Sequence, residues 1–319
     1  MMSSILDTIS SPEDLKNLPF EELEPLCTEI RETLIQTTAK TGGHLASNLG
    51  TVELTVALHR IFDCPADQIV WDVGHQCYTH KLLTGRRERF STLRQEGGIS
   101  GFPKHNESEY DAFVAGHSST SISVASGLAR AKKLQGDQHH VIAVIGDGAF
   151  TSGLAYEGAN NAARFGDNLI VILNDNKMSI SKNVGAFSKY LSKIRSRPAY
   201  FRTKDTVESI FNRVPLVGKP LNRTIQKCKN TIKAVVYGSN WFEDMGFYYL
   251  GPIDGHNLET LCDVLERAKG LHRPVFLHVE TQKGKGYSYA EENPGEYHGT
   301  SGFDIDTGKA FQAAGTNFS

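Results

Sequence analysis

Apolar residues recur at three- and four-residue steps from Phe20 to Lys40, where Leu23, Leu26, Cys27, Ile30 and Leu34 fall on one side, and this spacing predicts an amphipathic helix. Asn48-Leu49-Gly50 interrupts the pattern, and a second helical run is expected from Val52 to Phe62. Short apolar stretches without strict alternation follow at Ile69–Trp71, Ala112–Val114, Val141–Ile145, Leu169–Leu173 and Val275–Val279, and each fits a buried strand. Helical patterns separate several of them, at Ser121–Leu134, Leu154–Ala163 and Leu258–Ala268.

Buried strands alternating with amphipathic helices predict an α/β fold: a doubly wound, mainly parallel sheet with helices on both faces. Ligands of such sheets bind at the carboxyl ends of the strands, so the loops after Ile145 and Leu173 are where chemistry is expected. The span 182–251 departs from the pattern, with scattered proline, many basic residues and two moderately helical stretches at 207–214 and 221–237. It is expected to be a helical or irregular insertion, partly without fixed order, beside the active site. After residue 295 the chain is rich in Gly, Ser and Thr without periodicity, and 295–319 is expected to behave as a linker. The whole of 1–319 is therefore expected to be one domain.

A chain of 319 residues with 39% apolar and 22% charged positions is long enough for a full-sized core. Its net charge of -2 offers no basic footprint for nucleic acid, so any phosphate it binds is expected to be small. The five cysteines (Cys27, Cys64, Cys77, Cys228, Cys262) are scattered, with no close pair, as expected of reduced thiols. No apolar run reaches the roughly 18 residues of a membrane span, and the N-terminal stretch lacks the features of a secretory or transit signal. The expected location is the cytoplasm.

The candidate chemistry begins where the run Val141–Ile145 meets Gly146-Asp147-Gly148, with a helix opening at about Ser152. One helix and one strand later, Leu169–Leu173 runs into Asn174-Asp175-Asn176. Each triplet alone reads as a turn or a cap. Together they stand after two strands, about thirty residues apart, which would set Asp147 and Asn176 at neighbouring strand ends. A carboxylate and an amide oxygen suit Mg²⁺, which takes octahedral oxygen ligands and commonly shares phosphate oxygens. The flanking glycines let the backbone approach an anion closely. The pair of triplets resembles the signature of thiamine diphosphate enzymes and implies their diphosphate-binding (PP-type) domain fold.

A wider set of motifs, GGHLAS at 42–47, DVGHQCY at 72–78, GFP at 101–103, AGHSSTS at 115–121, SISKNVG at 179–185, LGPIDGH at 250–256 and KGKGY at 283–287, resembles the 1-deoxy-D-xylulose-5-phosphate synthases in the same order. The resemblance implies thiamine diphosphate and Mg²⁺ as cofactors, and condensation of pyruvate with glyceraldehyde 3-phosphate to 1-deoxy-D-xylulose 5-phosphate and CO₂. It implies Asp147, Asn176 and the Met178 carbonyl as metal ligands. His75, Gly116, His117, Ser118, Gly148, Ala149, Asn176 and Tyr287 are implied to line the cofactor, and Lys283 is added as a diphosphate neighbour on charge grounds. His44, His75 and His298 are the implied catalytic histidines, since an imidazole can donate to a substrate oxygen or move a proton near neutral pH.

The same resemblance places the family's pyrimidine-binding domain, with its ring-activating glutamate, and its C-terminal domain beyond Ser319. The chain is then expected to be half of an active site, as a truncated synthase or as one subunit of a split enzyme, working as a homodimer or with a chain that carries the pyrimidine-binding domain. The alternatives are the N-terminal subunit of a split transketolase and a cofactor-binding module without turnover.

Overall fold

The computed structural model describes residues 4–178, 183–195 and 240–311. Among them, β1 (Gln68–Trp71), β2 (Val141–Gly146), β3 (Leu169–Asp175), β4 (Tyr248–Asp254) and β5 (Val275–Glu280) form one parallel sheet in the order β1-β2-β3-β5-β4. The register puts Gly146 beside Asn174, so the two motif turns leave neighbouring strands side by side.

The helices are α1 (Pro12–Asn17), α2 (Leu23–Thr41), α3 (Leu45–Leu49), α4 (Val52–Ile61), α5 (Tyr78–Lys81), α6 (Ser121–Leu134), α7 (Asp147–Phe150), α8 (Gly153–Ala162), α9 (Ala186–Arg195), α10 (Trp241–Asp244), α11 (Leu258–Lys269) and α12 (Ser288–Glu292). The alternation of strand side chains divides the core in two. Ile142, Val144, Ile170, Ile172 and Leu277 pack with α2, α4 and α11 on one face. Ala143, Ile145, Val171, Leu173 and Phe276 pack with α6, α8 and α10 on the other. The chain steps in one direction from β1 to β3, with α6 and α8 as crossovers, and reverses between β4 and β5. Crossovers of constant right hand then require α11 to lie on the opposite face. Both faces are covered, which is why these strands read as continuous apolar runs. Among the described residues no helix is long and apolar enough to cross a membrane.

The structure departs from the sequence pattern in three places along the ordered elements. Ala112–Val114 is not a strand, and Phe113 and Val114 are 36% and 47% exposed. What anchors this segment is the buried carboxylate of Asp111 just before it, which accepts hydrogen bonds from Arg86 and from the Lys104 N–H. Conversely β4 escapes the pattern because Gly251-Pro252 reads as a break. The strand lies on the sheet edge with an irregular register there, where proline is tolerated. A Cβ on Gly251 (φ +116°) would come within 2.4 Å of the His278 carbonyl oxygen, so that position needs glycine. Asn48-Leu49, expected to break the chain, close the short helix α3 instead.

The span expected as an insertion gives both described ends to the sheet. Phe187 of α9 stacks on Phe150, Phe242 of α10 stacks on Phe276, and β4 itself begins at Tyr248. The stretches expected to be helical at 207–214 and 221–237, and the expected lack of order there, lie outside the described residues. The segment expected to be a linker folds back as far as residue 311: Gly43 and Thr300 exchange two backbone hydrogen bonds of 2.8 Å, and Tyr297 and Phe303 are buried. Residues 312–319 lie outside the described residues.

Candidate active site

A cleft of about 270 Å³ opens at the carboxyl ends of the strands. The turn after β1 contributes Asp72, Val73, His75 and Gln76. Val73 and Gly74 both have positive φ, and a Cβ on Gly74 would come within 2.5 Å of Pro103, so glycine lets this turn close against the neighbouring loop. Asp72 is buried and ties the turn to the start of α6, accepting the N–H groups of Ser119 at 2.7 Å and Ser121 at 3.1 Å. Ser119 Oγ in turn donates to the Ala149 carbonyl at 2.7 Å, which joins this corner to the turn after β2.

β2 ends at Gly146, and Asp147 opens α7, a single turn that follows directly before α8 begins. Asp147 is 2% exposed. Its carboxyl is pushed well above the ordinary range by burial and then by the negative charge of Asp175 beside it. β3 alternates at its end, so Asn174 and Asn176 line the cleft while Asp175 points away, fully buried. The Asn174 amide oxygen accepts from Thr281 Oγ1 at 2.5 Å, and the Asn176 amide oxygen accepts the Met178 N–H at 3.0 Å. After β5 the chain brings in Lys283, whose ammonium pKa is lowered to about 8 by burial, with Asp147 pulling in the opposite sense.

Three imidazoles complete the wall. The ring centroids of His44 and His75 lie 5.4 Å apart, those of His75 and His298 5.2 Å, and those of His44 and His298 5.8 Å. Burial, followed by the positive charge of their neighbours, lowers His44 and His298 to about 4 and His75 to about 3. All three are therefore neutral at physiological pH. His298 Nδ1 lies 3.2 Å from Lys283 Nζ and 3.3 Å from Ser47 Oγ, and His44 Nδ1 lies 3.4 Å from Arg94 Nη1.

The residues fit a bound divalent cation and a diphosphate. A buried carboxylate forced against a second one is relieved most directly by a cation. The oxygens of Asp147, Asn176 and Met178 are hard donors of the kind Mg²⁺ takes. Among the described residues no group of three or more His, Cys, Asp or Glu is placed to hold a metal. A Cβ on Gly146 would meet no protein atom within 4 Å, which leaves room against the backbone. His75 Nδ1 and Gln76 Oε1 are buried without hydrogen-bond partners among the described residues, a cost that a ligand in the cleft would remove.

Of the residues singled out in the sequence, His44, His75, Ser118, Asp147, Gly148, Ala149, Asn176, Met178, Lys283 and His298 meet around this cleft. Gly116 and His117 do not line it; they are exposed on the stretch that leads to Ser118. Tyr287 is not on the wall either. Its hydroxyl donates to the Ile305 carbonyl at 2.9 Å and its ring packs on Tyr297 and Phe303, so it holds the returning tail. Sequence reasoning passed over Ser47, Asp72, Gln76 and Asn174 on the wall and Asp175 behind it. Asp72 follows β1 as Asp147 follows β2, a signal that could have found it; Ser47 closes the GGHLAS motif that supplied His44.

Comparison with known proteins follows the same lines. A family model described as 1-deoxy-D-xylulose-5-phosphate synthase matches residues 6–281. The 1-deoxy-D-xylulose-5-phosphate synthase of Syntrophomonas wolfei is 56% identical over 307 residues, covering 96% of this chain and 48% of that protein. That of Caldanaerobacter subterraneus is 54% identical over 305 residues, covering 96% and 49%. The chain thus spans about half the length of the curated relatives it matches. Among solved structures, transketolase from Campylobacter jejuni aligns with a TM-score of 0.59 at 22% identity over 88% of this chain and 41% of that one. Transketolase from Leishmania mexicana gives 0.58 at 19% identity, over 88% and 38%. At these identities the structural likeness is one of fold.

Proposed function

Because the chain belongs to the 1-deoxy-D-xylulose-5-phosphate synthase family, we propose that it forms the metal- and diphosphate-binding half of a thiamine diphosphate active site. The whole protein, on this proposal, condenses pyruvate with glyceraldehyde 3-phosphate, forming 1-deoxy-D-xylulose 5-phosphate and releasing CO₂. Enzymes of this family use thiamine diphosphate with a divalent metal. The observation that carries the proposal is the convergence of Asp147, Asn176, Met178, Lys283 and three neutral imidazoles in one cleft at the strand ends.

Asp147, Asn176 and the Met178 carbonyl would hold Mg²⁺, and Lys283 with the backbone at Gly148 and Ala149 would face the diphosphate. The bound cofactor supplies the electron sink for the loss of CO₂. His44, His75 and His298, being neutral, orient substrate oxygens by hydrogen bonding and add no charge to the site. Ser118 shapes the rim, with Gly116 and His117 outside it, and Tyr287 supports the segment that delivers His298. The protein works in the cytoplasm, as a homodimer or with a chain that carries the pyrimidine-binding domain.

The test is product formation from pyruvate, glyceraldehyde 3-phosphate, thiamine diphosphate and Mg²⁺, followed by mass spectrometry. The purified chain is assayed alone and with a polypeptide covering the rest of the relatives' length. Turnover that needs the added polypeptide supports the half-site reading. Turnover by the chain alone refutes the half-site, and no turnover in either mixture sinks the synthase reading.

A further inference from the structure

β3 sends Asn174 and Asn176 into the cleft and Asp175 away from it, to a place with no solvent exposure. A fully buried carboxylate is costly unless it is well partnered. Asp175 is. Its Oδ2 lies 2.8 Å from His278 Nε2 and pairs with Arg195, and its Oδ1 accepts the Lys177 N–H at 3.2 Å. With Asp175 ionised and able only to accept, His278 Nε2 carries the proton and donates it. His278 is itself fully buried, and its Nδ1 lies 2.9 Å from the Tyr249 hydroxyl. On the other side, Asp175 rests against the carboxyl of Asp147.

Tyr249 lies on β4, His278 on β5, Asp175 on β3, and Asp147 follows β2. These strands are consecutive in the sheet, β2-β3-β5-β4, so the four side chains make one polar line across four strands beneath the cleft. An apolar residue at 278 would leave Asp175 with one donor fewer. The line ends on the residue assigned as the metal's carboxylate ligand.

We propose that His278 is a positioning residue for the metal: by donating to Asp175 it fixes that carboxylate behind Asp147, and so fixes Asp147 for the divalent cation. The proposal rests on the metal-site reading above. Groups that orient a metal ligand from behind typically alter affinity by about 10- to 100-fold when removed.

The experiment measures Mn²⁺ binding to the full chain by electron paramagnetic resonance, with thiamine diphosphate present, for the unmodified protein, Asp147→Ala, His278→Ala and His278→Gln. The expected result is a dissociation constant about tenfold higher or more for His278→Ala. His278→Gln, whose amide N–H can take the place of Nε2–H, should recover most of the loss. A merely structural histidine would lower the thermal midpoint of the metal-free chain and leave the Mn²⁺ constant of the folded protein unchanged. Should His278→Ala fail to fold, Tyr249→Phe removes a single hydroxyl from the far end of the line; weaker Mn²⁺ binding supports the proposal and unchanged binding overturns it. If the unmodified chain binds no Mn²⁺, or Asp147→Ala binds it as well, the metal-site reading fails and this inference with it. If the unmodified chain binds, Asp147→Ala does not, and His278→Ala binds like the unmodified chain, the inference alone falls.

Discussion

His44, His75 and His298 are held neutral chiefly because burial disfavours their charged forms, and Lys283 close by adds to the effect. Their folded pKa values, about 4, 3 and 4, lie below the roughly 6.5 of an unfolded histidine. For a depressed histidine the unfolded chain takes up protons first, so the contribution to stability is intact above pH ~6.5 and is lost as pH falls toward the folded values. Imidazole resonances followed by nuclear magnetic resonance should therefore show no titration of these three rings between pH 5.5 and 8. A midpoint near 6.5 for any of them would remove the neutral-imidazole account of the site. The same burial acts on Asp147 and Lys283, raising the carboxyl and lowering the ammonium, so each is shifted toward its uncharged form.

The loop from Ser100 to Asp111 shows how an irregular element can be as firmly set as a strand. Asp111 accepts from Arg86 at 2.7 Å and from the Lys104 N–H at 2.6 Å, and lies 3.0 Å from His80 Nε2; Lys81 donates to Glu107 at 2.6 Å, and Glu107 accepts the Ser100 N–H at 2.7 Å. Burial alone would raise Asp111, but the bonds from His80 and Arg86 outweigh it and hold the carboxyl well below its ordinary range. The pinned loop carries Phe102 to within 5.8 Å of His44, between ring centroids. Asp111→Ala removes the carboxylate that His80, Arg86 and the Lys104 N–H share, leaving Arg86 with Glu107 at 3.8 Å as its remaining anion, and should cost about 3 kcal/mol in urea unfolding. A loss under about 1 kcal/mol would mean that the network does not pin the loop.

This loop also marks the limit of what the sequence pattern conveys. α2, α4, α6, α8 and α11 and strands β1, β2, β3 and β5 were legible because each carries its own period or apolar run. β4 was not, because Gly251-Pro252 masks a strand that only its edge position permits. Ala112–Val114 was misread because three apolar residues carry no period, and polar anchoring at Asp111 decides the local course. In the site, Asp147 and Asn176 were legible from their places after strands. Asp175 and His278 lie 103 residues apart and meet only when the sheet forms, so no local pattern announces them.

For the molecule as a whole, the sheet separates two cores, and the cleft at the strand ends lies at their common edge. The groove between α6 and α8 leaves Leu154 and Phe165 43% and 39% exposed, and a Cβ on Gly127 there would meet nothing within 4 Å. In the proposed homodimer this open surface is available to the second copy. Sedimentation equilibrium of the purified chain should give twice the mass of one chain; a monomer at micromolar concentration would count against the dimer.

The tail that returns to Gly43 has a consequence in time. His298 meets Ser47 across 251 residues of chain, and it does so only because Thr300 pairs with Gly43 and Phe303 inserts beside α2. Contacts this remote in sequence are slow to close, and during synthesis the amino-terminal partner waits for nearly the whole of this chain to emerge. β1, β2 and β3 can assemble on the ribosome long before the third imidazole exists, so the scaffold precedes the site. A nascent chain stopped short of residue 298 would hold the turns proposed to take the metal and two of the three rings, with the wall beside Lys283 still missing.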